Sequence, residues 1–203
     1  MKSRNLARHV ITFILICIFL TATSSISIAQ DWSRKGKGEL YIFGQYMGGD
    51  TTTAKVFGEK FSIKLDDTIA GGLGYGFNFN DHFNLNFDLF YGQADVKGNP
   101  FGERVSGDTN LIGFDMNADL NVLKNRLTPL ITAGIGYIRF DGDFEGNDFD
   151  ETDFSYNVGG GIRWDVTDHL LLKVVYRSLW TKLEDTEDSL RFDVIALSIG
   201  YIF

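Results

Sequence analysis

Residues 83–90, "FNLNFDLF", alternate between oily and wet. Phe83, Leu85, Phe87 and Leu89 take one face of an extended strand, and Asn84, Asn86 and Asp88 take the other. Such a strand has two uses. In a water-soluble fold its apolar face packs into a core; in a membrane barrel that face points out into lipid and the polar face lines the interior. Which of the two applies decides what the chain can do, and the rest of the sequence argues for the second.

The amino terminus predicts export. Residues 1–29 have the three parts of a secretory signal: a basic start (Lys2, Arg4, Arg8), an apolar run from Val10 to about Ala22, and a small-residue exit at Ser27-Ile28-Ala29. The run falls short of the roughly 20 apolar residues of a spanning helix. Residues 30–203 are then the mature chain, a single domain. The one cysteine, Cys17, lies in the expected leader behind Ile16, where a lipoprotein signal needs a small residue. The mature chain is therefore expected to carry neither disulfide nor thiol. The formal charge of −8 includes the basic leader, so the mature chain is more acidic still, and no nucleic-acid partner is expected of it. Frequent glycine (23), scarce proline (2) and 14% aromatics suit strands and turns. No apolar run after the leader is long enough to span as a helix, so a membrane role falls to strands.

Eight alternating segments follow, at roughly 38–47, 68–79, 83–95, 109–122, 128–140, 153–166, 170–180 and 191–203. Their length is near the 9 to 11 residues a tilted strand needs to cross hydrocarbon, above the 5 or 6 of ordinary strands. The links alternate too. "NDH" (80–82), "LKNR" (123–126) and "TDH" (167–169) are tight, while "GGDTTTAKVFGEKFSIKLDD", "VKGNPFGERVSGDT", "DGDFEGNDFDET" and "TKLEDTEDSL" read as long polar loops. An up-and-down barrel puts all its short turns at one end and its long loops at the other. The polar faces carry Asp115, Asn117, Asp119 and Asn121 in the fourth segment, Asn157, Arg163 and Asp165 in the sixth, and Lys173 and Arg177 in the seventh. Gly72, Gly74, Gly76, Gly134 and Gly136 share those faces. Glycine weakens a water-facing strand but makes room for long neighbours inside a narrow barrel, so the wet face is expected to look inward. Two aromatic girdles fit that orientation: Phe79, Phe83, Trp164, Tyr201 and Phe203 by the short turns, Tyr91, Tyr137, Tyr156, Tyr176 and Trp180 by the long loops. The first segment, "ELYIFGQYM", is apolar on both faces, and its sides stay unassigned.

"TPLITAGIGY" (128–137), "YNVGGGIRWDVTDHLLLKVVYR" (156–177) and the closing "ALSIGYIF" resemble the small eight-stranded outer-membrane barrels of Gram-negative bacteria, the group that includes the OmpA barrel domain, OmpX and OmpW. The resemblance covers the mature chain. It implies an all-β, eight-stranded antiparallel up-and-down transmembrane barrel without an appended peptidoglycan-binding domain. It also implies that Ile199, Tyr201 and Phe203 form the carboxyl-terminal signal read by the barrel-assembly machinery. Members of the group serve adhesion, stress resistance or small-channel roles, and barrels of similar look modify lipid A with a histidine and serine pair near the outer leaflet.

Outside the leader the only histidines are His82 and His169, both in short turns, on the rim opposite that leaflet. They read as turn residues, and no enzyme is expected. An eight-stranded interior is just wide enough for side chains to fill. Asp88, Asp115, Asp119, Arg163, Lys173 and Arg177 are expected to meet across it as a structural ion-pair network that plugs the lumen. Asp141, Asp143, Glu145 and Gly146 imitate the opening of a calcium loop, but Thr152 stands where its closing glutamate belongs, so an acidic solvated loop is the better account. The strings "GGLGYG" and "GIG" continue into strands and open no helix, which excludes nucleotide loops. No cofactor or metal is expected. The expected partners are outer-membrane lipid and lipopolysaccharide, the assembly machinery and an extracellular ligand. A structural or surface-interaction barrel is the first reading, a narrow solute channel the second, and a lipid A modifying enzyme or a lipocalin-like soluble barrel comes last.

Overall fold

The sheet closes on itself. In a computed structural model, ten strands run in chain order: β1 (Gly38–Gly48), β2 (Thr51–Val56), β3 (Glu59–Leu65), β4 (Thr68–Asn78), β5 (Phe83–Gly98), β6 (Val105–Asn121), β7 (Leu127–Phe144), β8 (Asn147–Asp165), β9 (Leu170–Thr181) and β10 (Leu190–Ile202). The structure describes residues 32–49, 51–56, 59–98, 105–144, 147–181 and 189–203. The expected leader, Glu145 and Gly146 lie outside that set. Met1–Ser33 separates as one unit, and all that follows concerns the other, Arg34–Phe203.

Eight strands make the ring. β5 pairs with both β4 and β6, and β1 with both β4 and β10, so the order β1-β4-β5-β6-β7-β8-β9-β10 returns to β1, antiparallel throughout. Closure satisfies the backbone of a sheet that has no water to lean on. The seam is tied to its last residue: Phe203 N donates to Gly38 O at 2.9 Å and Gly38 N to Phe203 O at 3.0 Å.

The long links depart from the expected loops in two ways. Much of the first one is the hairpin β2–β3, which continues the wall above β4 by pairing β3 with β5, Ile63 opposite Gly98 and Leu65 opposite Val96. Its polarity hid a period of two: in "KFSIKL" Phe61, Ile63 and Leu65 alternate with Lys60, Ser62 and Lys64. The described part of the stretch likened to a calcium loop is strand as well: β7 and β8 stay paired on either side of Glu145 and Gly146, Asp141 opposite Asp150 and Asp143 opposite Asp148.

The short turns explain the repeated Asp-His. Asn80 Oδ1 accepts the N–H of His82 and of Phe83, each at 2.8 Å, and Thr167 Oγ1 accepts those of His169 (3.2 Å) and Leu170 (2.9 Å). Each imidazole then bonds through Nδ1 to the carbonyl of the next strand, His82 to Asn121 O at 2.7 Å and His169 to Ile202 O at 2.9 Å. A side-chain oxygen folding back on the backbone two and three residues on is the chemistry that makes such turns tight.

Below the long-loop aromatic girdle the faces fall as the sequence suggests. Leu73, Leu89, Leu120, Ile131 and Leu197 are exposed on the outside, while Asn84, Asn86, Asp88, Asn117 and Asp119 are buried. β1 now takes sides, with Glu39, Tyr41, Phe43, Gln45 and Met47 inward and Leu40, Ile42 and Tyr46 outward. Above the girdle the rule inverts, contrary to the expectation that the wet face looks inward throughout. β10 passes from Ala196 and Ser198 inside, with Leu197 and Ile199 outside, to Leu190, Phe192 and Val194 inside with Arg191 and Asp193 outside. On β7, Ile138 and Phe140 are buried and Arg139 is exposed. The reason is the change of solvent. Strands that leave lipid for water revert to an apolar core under a polar exterior, and the girdle marks the crossing. Between the girdles each strand has roughly ten residues, the span of a tilted strand through hydrocarbon.

Charge on the outside should therefore be judged by height. Leu197→Arg should cost about 2–4 kcal/mol, and Thr152→Arg, outward but above the girdle, within about 0.5 kcal/mol of nothing. Denaturant unfolding in lipid vesicles checks this, and equal losses at the two positions would refute the crossing.

Candidate functional site: the closed lumen

From the short-turn end upward, the lower lumen is filled by three layers of ionised side chains. Arg34 precedes β1 and is fully buried. Its turn is closed by Lys37 N donating to Arg34 O (2.9 Å) and needs the positive φ of Gly36, 75°. The Arg34 guanidinium meets Asp165 Oδ2 at 2.5 Å and donates to Asn125 O and, at 3.2 Å, to Asp81 O, while its backbone N–H donates to Asp81 Oδ1 at 2.8 Å. One side chain thus joins two short turns and the end of β8 across the barrel floor. Arg163 lies next, 2.9 Å from Asp165 and 2.7 Å from Glu39.

Lys173 forms the middle layer, 3.5 Å from Glu39 and 3.8 Å from Asp119, with its ammonium 4.1 Å above the Tyr41 ring. In the upper layer Arg177 stands 3.3 Å from Asp115 and 3.7 Å from Asp88, and donates to Gln45 at 3.0 Å. Amides and a phenol fill in around them. Tyr41 Oη donates to Asp88 at 2.6 Å, Asn117 Nδ2 to Asp88 at 3.0 Å, Asn86 Nδ2 to Asp119 at 2.8 Å and Asn157 Nδ2 to Asn117 at 2.9 Å. A cavity of about 30 Å³ between Lys173 and Arg177 has room for about two water molecules. The glycines make the room: a Cβ at Gly74 would strike the Tyr41 ring and Asp88, and one at Gly136 would strike Asp115.

A dry layer covers the charged ones. Phe90, Leu111, Ile138, Leu179, Leu190 and Phe192 are buried to 1% exposure or less inside the upper barrel. Among the described residues no buried cation reaches that level, and Asp153, opposite Ile138 in register, is a buried carboxylate within it.

All six predicted lumen charges are buried, and each lies within ion-pair distance of an opposite charge. Sequence reasoning did not name Glu39 and Arg34 among them. Glu39 is the lone carboxylate of an otherwise uncharged strand, a usable signal. Arg34 had none, because it enters the lumen from outside the strands. Asp165 stood on the polar face of its segment but outside the predicted network. Ile199, Tyr201 and Phe203 point outward at the short-turn rim, where Tyr201 stacks on His169 with ring centroids 5.3 Å apart.

A closed ring of eight antiparallel strands, greasy outside at membrane height and filled within, defines a small outer-membrane-type barrel. The chain belongs to the outer membrane protein beta-barrel domain family, whose model matches residues 17–203. Neisserial surface protein A superposes with a TM-score of 0.58 at 17% identity, covering 82% of this chain and 99% of that one. OprG of Pseudomonas aeruginosa gives 0.58 at 15%, covering 83% and 96%. Ail, the attachment invasion locus protein of Yersinia pestis, gives 0.51 at 17%, covering 83% and 99%. At these identities the likeness is one of fold. No curated protein sequence matches the chain.

Removing one partner from a buried network leaves the others uncompensated. Arg163→Met, which leaves Glu39 with Lys173 alone and Asp165 with Arg34 alone, should cost about 3–5 kcal/mol. Arg126→Ala, which breaks an exposed pair with Asp168, should cost about 0–1 kcal/mol. Unfolding of the refolded barrel in detergent checks the contrast.

Proposed function

We propose that the chain is an exported barrel of the outer membrane, with its long-loop ends outside the cell, and that its role is structural or one of surface interaction rather than catalysis or solute passage. The double closure of the lumen carries this reading. A charged network below and an apolar layer above fill an interior that eight strands already make narrow, so a solute would have to displace both. What the barrel offers instead is its outer wall, where β2–β3 and the upper parts of β5 to β8 continue the paired sheet above the girdle. A ligand in the medium would meet that wall. One neighbour of similar fold is named an attachment protein, which agrees with such a role.

The partners proposed for the rest of the surface are lipid and lipopolysaccharide along the girdled band, and the assembly machinery at Ile199, Tyr201 and Phe203. The position of His82 and His169 supports a non-enzymatic role, since both are bonded to strand carbonyls at the short-turn rim.

Planar-bilayer recording of the refolded protein tests the closed lumen. No unitary conductance should appear at moderate voltage; steady openings would replace this reading with that of a narrow channel.

A further inference from the structure

Above the girdle the outer face of the wall is sorted by charge. β3 sets Lys60 opposite Lys55 of β2 and Lys64 opposite Lys97 of β5. Faces alternate along a strand, so Lys60 and Lys64 share one, and Lys97 shares the face of Tyr91, Gln93 and Asp95, all three exposed. Thr51, Thr53 and Ser62 complete that face of the hairpin, and none of its positions is acidic. Two lysine pairs thus stand in direct register, on strands about 4.8 Å apart and with about 13 Å between the pairs along β3.

The far flank is the reverse. Asp95, Asp108, Asp143 and Asp148 lie opposite one another in an unbroken row from β5 to β8, and Asp141 lies opposite Asp150 one step below. Among the described residues of β6 to β8 above the girdle, Arg139 is the one cation, 3.8 Å from Asp141 and 2.5 Å from Asp150. Like charges directly opposite across a ladder are destabilising. A wall serving only itself would gain by interleaving the two signs, as the lumen beneath it does. Here each flank repels itself instead. The flanks also stand at one height: Lys97, Asp143 and Asp150 each lie six residues above a girdle tyrosine of their own strand, Tyr91, Tyr137 and Tyr156, about 20 Å along it.

We propose that the lysine flank of β2, β3 and β5 docks the aspartate flank of β6 to β8 on a second copy of the chain, so that barrels associate side by side in the plane of the membrane. This rests on the reading that the long-loop ends stand together on one side of that membrane. Copies held in the same orientation bring the two flanks level without either barrel leaving the bilayer. The contact is heterologous. The flanks occupy different sides of the ring, so each barrel uses both at once and copies run on as chains or rings instead of stopping at a pair. One exposed ion pair contributes little. Four lysines against a row of aspartates relieve the repulsion within both flanks, and confinement to one plane and one orientation removes much of the freedom that association in solution would cost. The attraction is screened within about 8 Å at physiological ionic strength and about 3 Å in molar salt.

Zero-length cross-linking tests this, because a carbodiimide joins an ammonium only to a carboxylate already in contact with it. Intact protein, refolded from equal parts of isotope-labelled and unlabelled chain in phosphatidylcholine vesicles, should yield amide links of mixed label. They should join peptides of Lys55, Lys60, Lys64 or Lys97 to peptides of Asp141, Asp143, Asp148 or Asp150, several-fold more abundantly in dilute buffer than in molar salt. Lys60→Glu combined with Lys64→Glu should remove most of them, and mixing that variant with one carrying Asp143→Lys and Asp150→Lys should restore mixed-label links. Absence of mixed-label links in the intact protein overturns the proposal. So do links indifferent to salt, links that survive the double reversal, or a swapped partner that restores nothing. The intact protein decides the matter even where a variant fails to refold. Labelling whole cells with a membrane-impermeant amine reagent reports separately whether the lysine flank faces the medium, so the orientation and the docking can fail independently.

Discussion

Everything in this barrel follows from the hydrogen bonding of one sheet to itself. In hydrocarbon an unpaired N–H or C=O costs several kcal/mol, so the edges of β1 and β10 must find each other, and Phe203 and Gly38 bond each other reciprocally across that seam. Closing at eight strands fixes the bore. The bore in turn dictates that the interior is packed with side chains, that glycine stands opposite the bulkiest of them, and that long cations reach across to carboxylates on other strands. Arg163 and Glu39 lie 124 positions apart in sequence and are joined because the ring leaves them nowhere else to point.

The network inside is better understood as a way of filling that bore than as a source of stability. A buried ion pair gains little over an apolar pair of the same shape, because desolvation offsets the attraction. Its value lies in what cannot be rearranged. Glu39 and Asp165 each serve two cations, and Lys173 and Arg177 each serve two carboxylates, so slipping one strand by a residue would leave several charges stranded. Register is thereby fixed in strands whose outer face, all grease against grease, specifies it weakly. Folding in lipid needs that help from within, since the hydrophobic effect does little to align surfaces that lipid already solvates.

How far the sequence could be read depended on which solvent each strand was in. Strands bathed in lipid outside and charge inside carry the strict alternation of "FNLNFDLF", and there the faces, the glycines and the six interior charges were legible. β1 was not, because Tyr41, Phe43 and Met47 point inward with the look of lipid-facing residues. Tyr41 is there for its hydroxyl, bonded to Asp88; Phe43 lines the cavity between Lys173 and Arg177, and Met47 is buried one inward position above Gln45. The hairpin β2–β3 and the tips of β7 and β8 were passed over as loops because charge was taken as the sign of a loop. In water charge is what the outside of a strand should carry. Arg34 could not be found by periodicity, since a residue before the first strand belongs to no alternation.

The inversion at the upper girdle has a mechanical consequence. Were the polar lumen continued upward, the strands above the membrane would enclose water and lean on nothing but their own backbone bonds, which for isolated hairpins is marginal. Instead Phe90, Leu111, Ile138, Leu179, Leu190 and Phe192 give the emerging wall a core anchored to the membrane-embedded ring by the same strands. The part that faces the medium is therefore as much a folded body as the part that faces lipid. The apolar layer thus adds a second closure above the charged one, and it is on this double closure that the proposed surface role rests.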